Sequence, residues 1–281
     1  MHLYDAHNHL QDERFAPNHA ALVATAAQHG VAKMVVNGAC EADWPAVLDL
    51  ARRHSQVLPS FGYHPWHLRE RTPDWRANLA RYLDSAPSAL GEIGLDRWKQ
   101  GLDLPLQQEM FVSQLCLSAE RDLPASIHCL QAWGMLFDIL RQQPRPRCGF
   151  LLHSYGGPAE MVAPLAKLGA YFSFPGFYAN DRKERQRETF RHVPPDRLLL
   201  ETDAPDQPLP PPLVTHPLVD AHGHSLNHPA NIGAVYRFVA AFFGESMDSL
   251  AARVEENFLR LFGAVIPRTS SGHADVSPAS R

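Results

Sequence analysis

The chain has 281 residues, 45% of them hydrophobic and 20% charged, with a formal net charge of −4 and a pI near 6.5. A chain of this make-up can bury a sizeable core, and one α/β barrel of about 250 residues or more accounts for the length as well as two domains of about 150 residues would. The charge balance excludes a surface that coats polyanions everywhere, so any contact with nucleic acid has to come from a local patch.

No stretch approaches about 18 uninterrupted apolar residues, so no membrane span is expected, and residues 1–5 do not open like a secretory leader. Cys40, Cys116, Cys129 and Cys148 have no short paired spacing, which argues against a zinc ribbon or a disulfide framework and for a reducing cytoplasm. In chain order, apolar runs of strand length occupy 3–6, 33–37, 57–61, 89–93, 125–128, 150–153, 170–174 and 198–202. Amphipathic stretches of helical length lie between them at 20–29, 44–54, 75–85, 105–121, 133–142 and 158–168. The 105–121 stretch opens on Pro105, which a helix tolerates at its first turn, and repeats Met110, Phe111, Gln114, Leu115, Leu117 and Ser118 at helical spacing. Gly30 and Gly169 stop the stretches before them as C-caps do.

Eight strand-like runs separated by helices predict an α/β fold, a single (β/α)8 TIM barrel over residues 1–265. An open doubly wound sheet shares the alternation, but no Gly-x-Gly-x-x-Gly follows the first run to favour a dinucleotide-binding version. Residues 206–229, rich in Pro and His, follow the eighth run and are expected to form a substrate loop over the barrel mouth. Residues 266–281, rich in Ser, Pro and Ala, read as a disordered tail.

Sixteen histidines are many for this length, and several end apolar runs where a core would want Val or Leu. Side chains two apart share a face of a strand, so His7 and His9 point the same way at the end of the first run. Two imidazoles so placed form a metal clamp. Glu92 lies between Gly91 and Gly94 at the end of the fourth run, His128 ends the fifth, His153 the sixth, and Glu201 and Asp203 the eighth. All of these are at strand C-termini, the face where barrel enzymes place their active sites. Carboxylates buried there without partners would be costly, and divalent cations offset that cost.

The motifs DAHNHL, FGYHP, GEIGLD, SIHC, LLHSYGG, LLLETDAP and NHPANI, with the late ENFLRLFG, resemble in content and order the TatD-type metal-dependent hydrolases of the amidohydrolase-like superfamily. The resemblance runs from Leu3 to about Gly263. It implies a barrel with two divalent ions (Zn, Mn or Mg) and hydrolysis by a metal-activated water. Position by position, it implies His7 and His9 as ligands of a first ion, Glu92 as the bridge, His128 and His153 as ligands of a second, and Asp203 as a further ligand of the first that accepts the water's proton. A bridging carboxylate also makes physical sense, because it screens the repulsion of two cations some 3.5–4 Å apart. Around that set, Glu201 is expected one layer deeper, His64 to contact substrate or support the site, and Asp5 to orient a ligand histidine.

The implied function is phosphoester hydrolysis of the deoxyribonuclease or exonuclease kind, on a nucleic-acid end or a small phosphoester, with no obligate protein partner and no membrane. Two other classes are weighed: an amidohydrolase-like enzyme acting on a small amide, lactone or phosphoester, and a non-catalytic interaction protein on a degenerate barrel. The complete ligand set disfavours the last. Two departures from the family pattern remove cations that could hold phosphate. Leu130 stands where an Arg usually follows the fifth-strand histidine, and His222-Gly223-His224 stands where basic residues often precede the Asn-x-Pro. The basic run of Arg182, Lys183, Arg185 and Arg187 reads as a solvated helix face, and Arg141, Arg145 and Arg147 are expected at the opposite end of the barrel.

Overall fold

The computed structural model describes residues 1–267, and its eight parallel strands pair in sequence order, from β1 (Leu3–Asn8) through β2 (Val31–Asn37), β3 (Val57–Phe61), β4 (Ala89–Asp96), β5 (Ala125–Leu130), β6 (Phe150–Leu152) and β7 (Ala170–Pro175) to β8 (Leu198–Glu201). Nearly every strand residue is buried, because each strand faces packed side chains inside the barrel and helices outside it. The ends meet: the Asp203 N–H donates to the His7 carbonyl at 3.0 Å and the His9 N–H to the Ala204 carbonyl at 2.7 Å. Asp5 reinforces this join by accepting from the Thr202 N–H at 2.9 Å and its hydroxyl at 2.6 Å. The expected TIM barrel is what forms.

The helices α1 (His19–Gln28), α2 (Trp44–Arg53), α3 (Trp75–Ser85), α4 (Leu104–Arg121), α5 (Trp133–Gln142) and α6 (Val162–Lys167) fall where the periodicity predicts, with α6 shortened by a 3-10 turn over Ala159–Met161. Asp103 caps α4 by accepting from the Leu106 N–H at 3.0 Å, which meets an otherwise unpaired donor of the first turn. Gly30 and Gly169 do end their helices, at φ +86° and +101°. A short α7 (Glu184–Thr189) follows β7.

Two helices that the periodicity did not single out complete the wall: α8 (Ile232–Phe243) and α9 (Met247–Phe262). Leu250, Val254, Phe258 and Leu261 line the buried stripe of α9, and Asn257 ties it to β8 by donating to the Pro195 and Leu198 carbonyls at 2.8 and 2.9 Å. Truncating Phe258 to Ala would cost about 3–5 kcal/mol through lost contacts and a cavity. The 206–229 segment carries a 3-10 turn at Pro211–Leu213 and a small antiparallel pair, Leu218–Val219 with Ser225–Leu226. The tail expected over 266–281 lies, from residue 268 onward, outside the described residues. Among the described residues no helix is long and apolar enough to cross a membrane, and all four cysteines are unpaired.

Candidate metal centre

Glu92 sits 2% exposed near the end of β4, and its two oxygens face different sets of imidazoles. Oε2 lies 3.4 Å from His7 Nε2 and 3.2 Å from His9 Nε2. Oε1 lies 3.1 Å from His128 Nδ1, 2.8 Å from His153 Nε2 and 3.5 Å from His64 Nε2. Asp203 Oδ1 completes the first set, 3.7 Å from both His7 Nε2 and His9 Nε2. The structure thus gathers His7, His9, Glu92, His128, His153 and Asp203 into one cluster at the strand C-termini.

The donor spacing fits metal ions. Ligands at the corners of a tetrahedron around Zn, with bonds of about 2.0–2.1 Å, stand roughly 3.4 Å apart. The Nε2 atoms of His7 and His9 are 3.3 Å apart, and His128 Nδ1 is 3.2 Å from His153 Nε2. Ring tautomers agree at two positions. The His9 Nδ1–H faces the Asn37 carbonyl at 2.8 Å, and the His128 Nε2–H faces Asp96 Oδ2 at 3.2 Å, so that loss of the other ring proton would give the cluster-facing nitrogen a lone pair for a cation. For His7, Nδ1 lies 2.8 Å from Ser126 Oγ and 3.1 Å from Asn37 Nδ2, while the buried Asn37 Oδ1 has no partner. A half-turn of that amide presents Oδ1 to His7 Nδ1–H and frees Nε2 for a cation.

Charge in the cluster is strongly coupled. Burial alone would raise the Glu92 pKa, but His153, His64 and His7 outweigh it and hold the carboxylate well below its usual range. Burial alone would lower His9, yet Glu92 and Asp203 bring it up to about 9. His153 is raised well above its usual value against burial by Glu92 and Glu201, and His128 is raised by Asp96 and Glu92. Burial pushes Asp203 up to about 6, with Glu201 and Glu92 acting in the same direction against His153 and His9.

The supporting residues differ in detail from their expected roles. Asp5 reaches the backbone N–H of His7 at 3.3 Å and Asn8 Nδ2 at 3.0 Å, and touches neither ligand ring. It also braces the β1–β8 join through Thr202. Glu201 is fully buried, accepts from the hydroxyls of Ser154 and Ser173, and lies 3.7 Å from His153 Nδ1, too far for a hydrogen bond. The Trp66 N–H donates to His64 Nδ1 at 3.2 Å, so the His64 proton is on Nε2, which faces Glu92. His64 is therefore arranged as a neutral donor.

Asp96, the last residue of GEIGLD, carries a role that the sequence reading did not assign. It accepts from the His128 ring, from the Trp66 indole at 2.7 Å, and from the backbone of Trp98 and Lys99 at 2.7 and 2.9 Å. Next to it, Gly94 at φ +147° packs so closely on β5 that an added Cβ would lie 2.0 Å from the His128 carbonyl oxygen.

Elsewhere, His224 is exposed and paired with Asp220 at 3.0 Å, and no metal-competent trio among the described residues includes His222 or His224. Arg182 and Lys183 lie over the Phe177 ring at 5.2 and 5.0 Å. Arg145 and Arg147 bond to Leu168 and Asp122, before β7 and β5, at the opposite end of the barrel as expected.

Residues 4–263 match the family model described as TatD related DNase. A protein named 3′-5′ ssDNA/RNA exonuclease TatD from Erwinia amylovora is 32% identical over 266 residues, spanning 93% of this chain and 100% of that protein. The uncharacterized metal-dependent hydrolase YcfH of Escherichia coli is 30% identical over 267 residues, spanning 93% of this chain and 96% of its own length. Among solved structures, the TatD homolog YjjV from Escherichia coli superposes with a TM-score of 0.84 at 27% identity, covering 93% of this chain and 98% of that one.

Proposed function

The chain belongs to the TatD related DNase family, and from that premise we propose that it is a metal-dependent phosphodiesterase acting on nucleic-acid ends, with two divalent ions in the cluster around Glu92. The observation that carries the reading is the division of the Glu92 carboxylate, one oxygen toward His7 and His9 and the other toward His128 and His153. In this assignment His7, His9 and Asp203 would hold one ion, His128 and His153 the other, and Glu92 would serve both. The mixture of imidazole and carboxylate suits Zn or Mn, with Mg less at ease on histidine. Bound there, the ions supply Lewis acidity and a water of lowered pKa.

The chain's own residues do the rest. Asp203, at the edge of the His7 and His9 set, takes the proton of the attacking water. His64 offers its Nε2–H to a phosphate oxygen or to Glu92. Glu201, fixed by two serine hydroxyls, holds His153 in place through charge. Residues 1–265 form the catalytic unit. The unpaired cysteines suit a reducing compartment, and we assign the enzyme to the cytoplasm.

The test is a hydrolysis screen of protein loaded with Zn, Mn or Mg on single-stranded DNA, RNA, bis-p-nitrophenyl phosphate, esters and amides. Chelator-sensitive cleavage of the phosphodiesters is expected. Turnover of amides or esters with none of phosphodiesters would replace this reading by the amidohydrolase-like one.

A further inference from the structure

The described residues include six large hydrophobic side chains that face solvent, and three of them, Trp66, Trp98 and Leu130, are gathered at one sector of the barrel mouth. They follow or end β3, β4 and β5, beside His128. Trp98 is 60% exposed. One buried carboxylate organises this sector: Asp96 accepts from the Trp66 indole and from the backbone N–H groups of Trp98 and Lys99. Lys99 Nζ lies 4.1 Å from the centre of the Trp66 ring. Leu130 pairs with Asp96 across the β4–β5 ladder, and its carbonyl accepts from the Arg97 N–H at 2.9 Å.

Exposed indoles beside a catalytic cluster call for an explanation, since clustered exposed apolar surface marks binding sites. Trp66 is held rigidly by its N–H and stands with its ring centre 6.3 Å from that of His128. Lys99 forms no ion pair among the described residues, whereas Arg14, another cation of the mouth, is taken up by Asp12 and Asp206 at 2.7 and 2.8 Å. The exposed Trp98 indole and an ammonium that rests on the Trp66 ring without an ion pair, both next to Asp96, match the two parts of a nucleotide. Every base has a π-face that stacks on an aromatic side chain, and its phosphate needs a cation.

We propose that Trp98, Trp66 and Lys99 form the subsite that grips the nucleotide next to the scissile bond, the base stacking on the exposed Trp98 indole and the flanking phosphate meeting Lys99. The proposal rests on the phosphodiesterase reading and adds the residues that would hold a base with a free face. It also explains how a chain with Leu130 in place of an Arg still meets a flanking phosphate.

The experiment measures KM and kcat of metal-loaded protein on three octamers: dT8, U8 and an abasic octamer of tetrahydrofuran phosphodiesters, which keeps the phosphates and lacks the bases. Trp98→Ala is expected to raise KM on dT8 and U8 at least about five-fold, in line with the worth of one stacked base, and to leave the abasic octamer's KM where wild type has it. Trp98→Phe should restore most of the loss. Lys99→Ala should raise KM on all three, because every octamer carries phosphates. Equal KM values for wild type and Trp98→Ala on dT8, with wild type cleaving it, would overturn the subsite and leave the phosphodiesterase reading intact. Failure of wild type to cleave any octamer or bis-p-nitrophenyl phosphate would overturn both.

Discussion

Asp96 Oδ2 lies 3.2 Å from Nε2 of His128, while the other ring nitrogen of that histidine, Nδ1, lies 3.1 Å from Glu92 Oε1. A carboxylate behind an imidazole fixes which nitrogen carries the proton and makes the opposite lone pair more basic toward a cation. Asp96→Leu removes that acceptor at similar volume. It is expected to weaken the ion nearer His128 by about 10–100-fold and leave the ion nearer His7 and His9 largely unaffected. Competition with a chelating dye reads both affinities, and equal weakening of the two ions would show that Asp96 acts on the whole site.

Glu92 predicts a different pattern. Because its oxygens face both imidazole sets, Glu92→Gln should lower occupancy of both ions and abolish turnover, whereas His128→Ala should mainly empty one. Elemental analysis of folded, metal-loaded variants provides the count. One full ion retained in Glu92→Gln would contradict the shared carboxylate.

The ring of strand ends was legible in the sequence because burial in a parallel barrel makes each strand a short apolar run, and a His or carboxylate at its end stands out. Asp96 was not legible, because its position within GEIGLD does not say that its side chain turns back to His128. For Asp5, strand parity gives the inward direction it shares with His7 but not its partners, which are Thr202, Asn8 and the His7 backbone. Asp203 lies past the end of β8 at φ +56°, so strand alternation does not set its direction. Helix α8 escaped the periodicity because IGAVYRFVAAFF is apolar around most of its circumference.

Leu130, 37% exposed and two residues past His128, offers a gain-of-function test. Leu130→Arg adds a cationic fork at the barrel mouth beside His128. A charge-assisted contact of roughly 1.5–3 kcal/mol should raise kcat/KM on single-stranded DNA about ten- to a hundred-fold relative to bis-p-nitrophenyl phosphate. An unchanged ratio at fixed salt would mean that Lys99 already satisfies the phosphate in reach.

The last expectation concerns protons. Without metal, His9 has a pKa of about 9, with His128 raised and His153 raised well above the usual value. The His9 ring therefore holds a proton at neutral pH, the neighbouring carboxylates favour the protonated forms of His128 and His153, and a cation needs these lone pairs, so metal loading must release protons. For the metal-free fold the sign follows from linkage. A histidine whose folded pKa lies above its unfolded value of about 6.5 adds stability that is fully present below that value and lost as pH rises through the folded pKa. The stability of the chelated protein should therefore fall between about pH 6.5 and 8.5. Metal affinity moves the other way over the same window, because fewer protons compete. The gap in Tm between loaded and chelated protein should accordingly widen from pH 6.5 to 8.5. Thermal denaturation with and without chelator measures the gap, and calorimetric titration in two buffers of different ionisation heat counts the protons. A constant gap with no proton release would mean that His9, His128 and His153 are neutral before the metal arrives, and Glu92, Glu201, Asp96 and Asp203 would not hold protons on them.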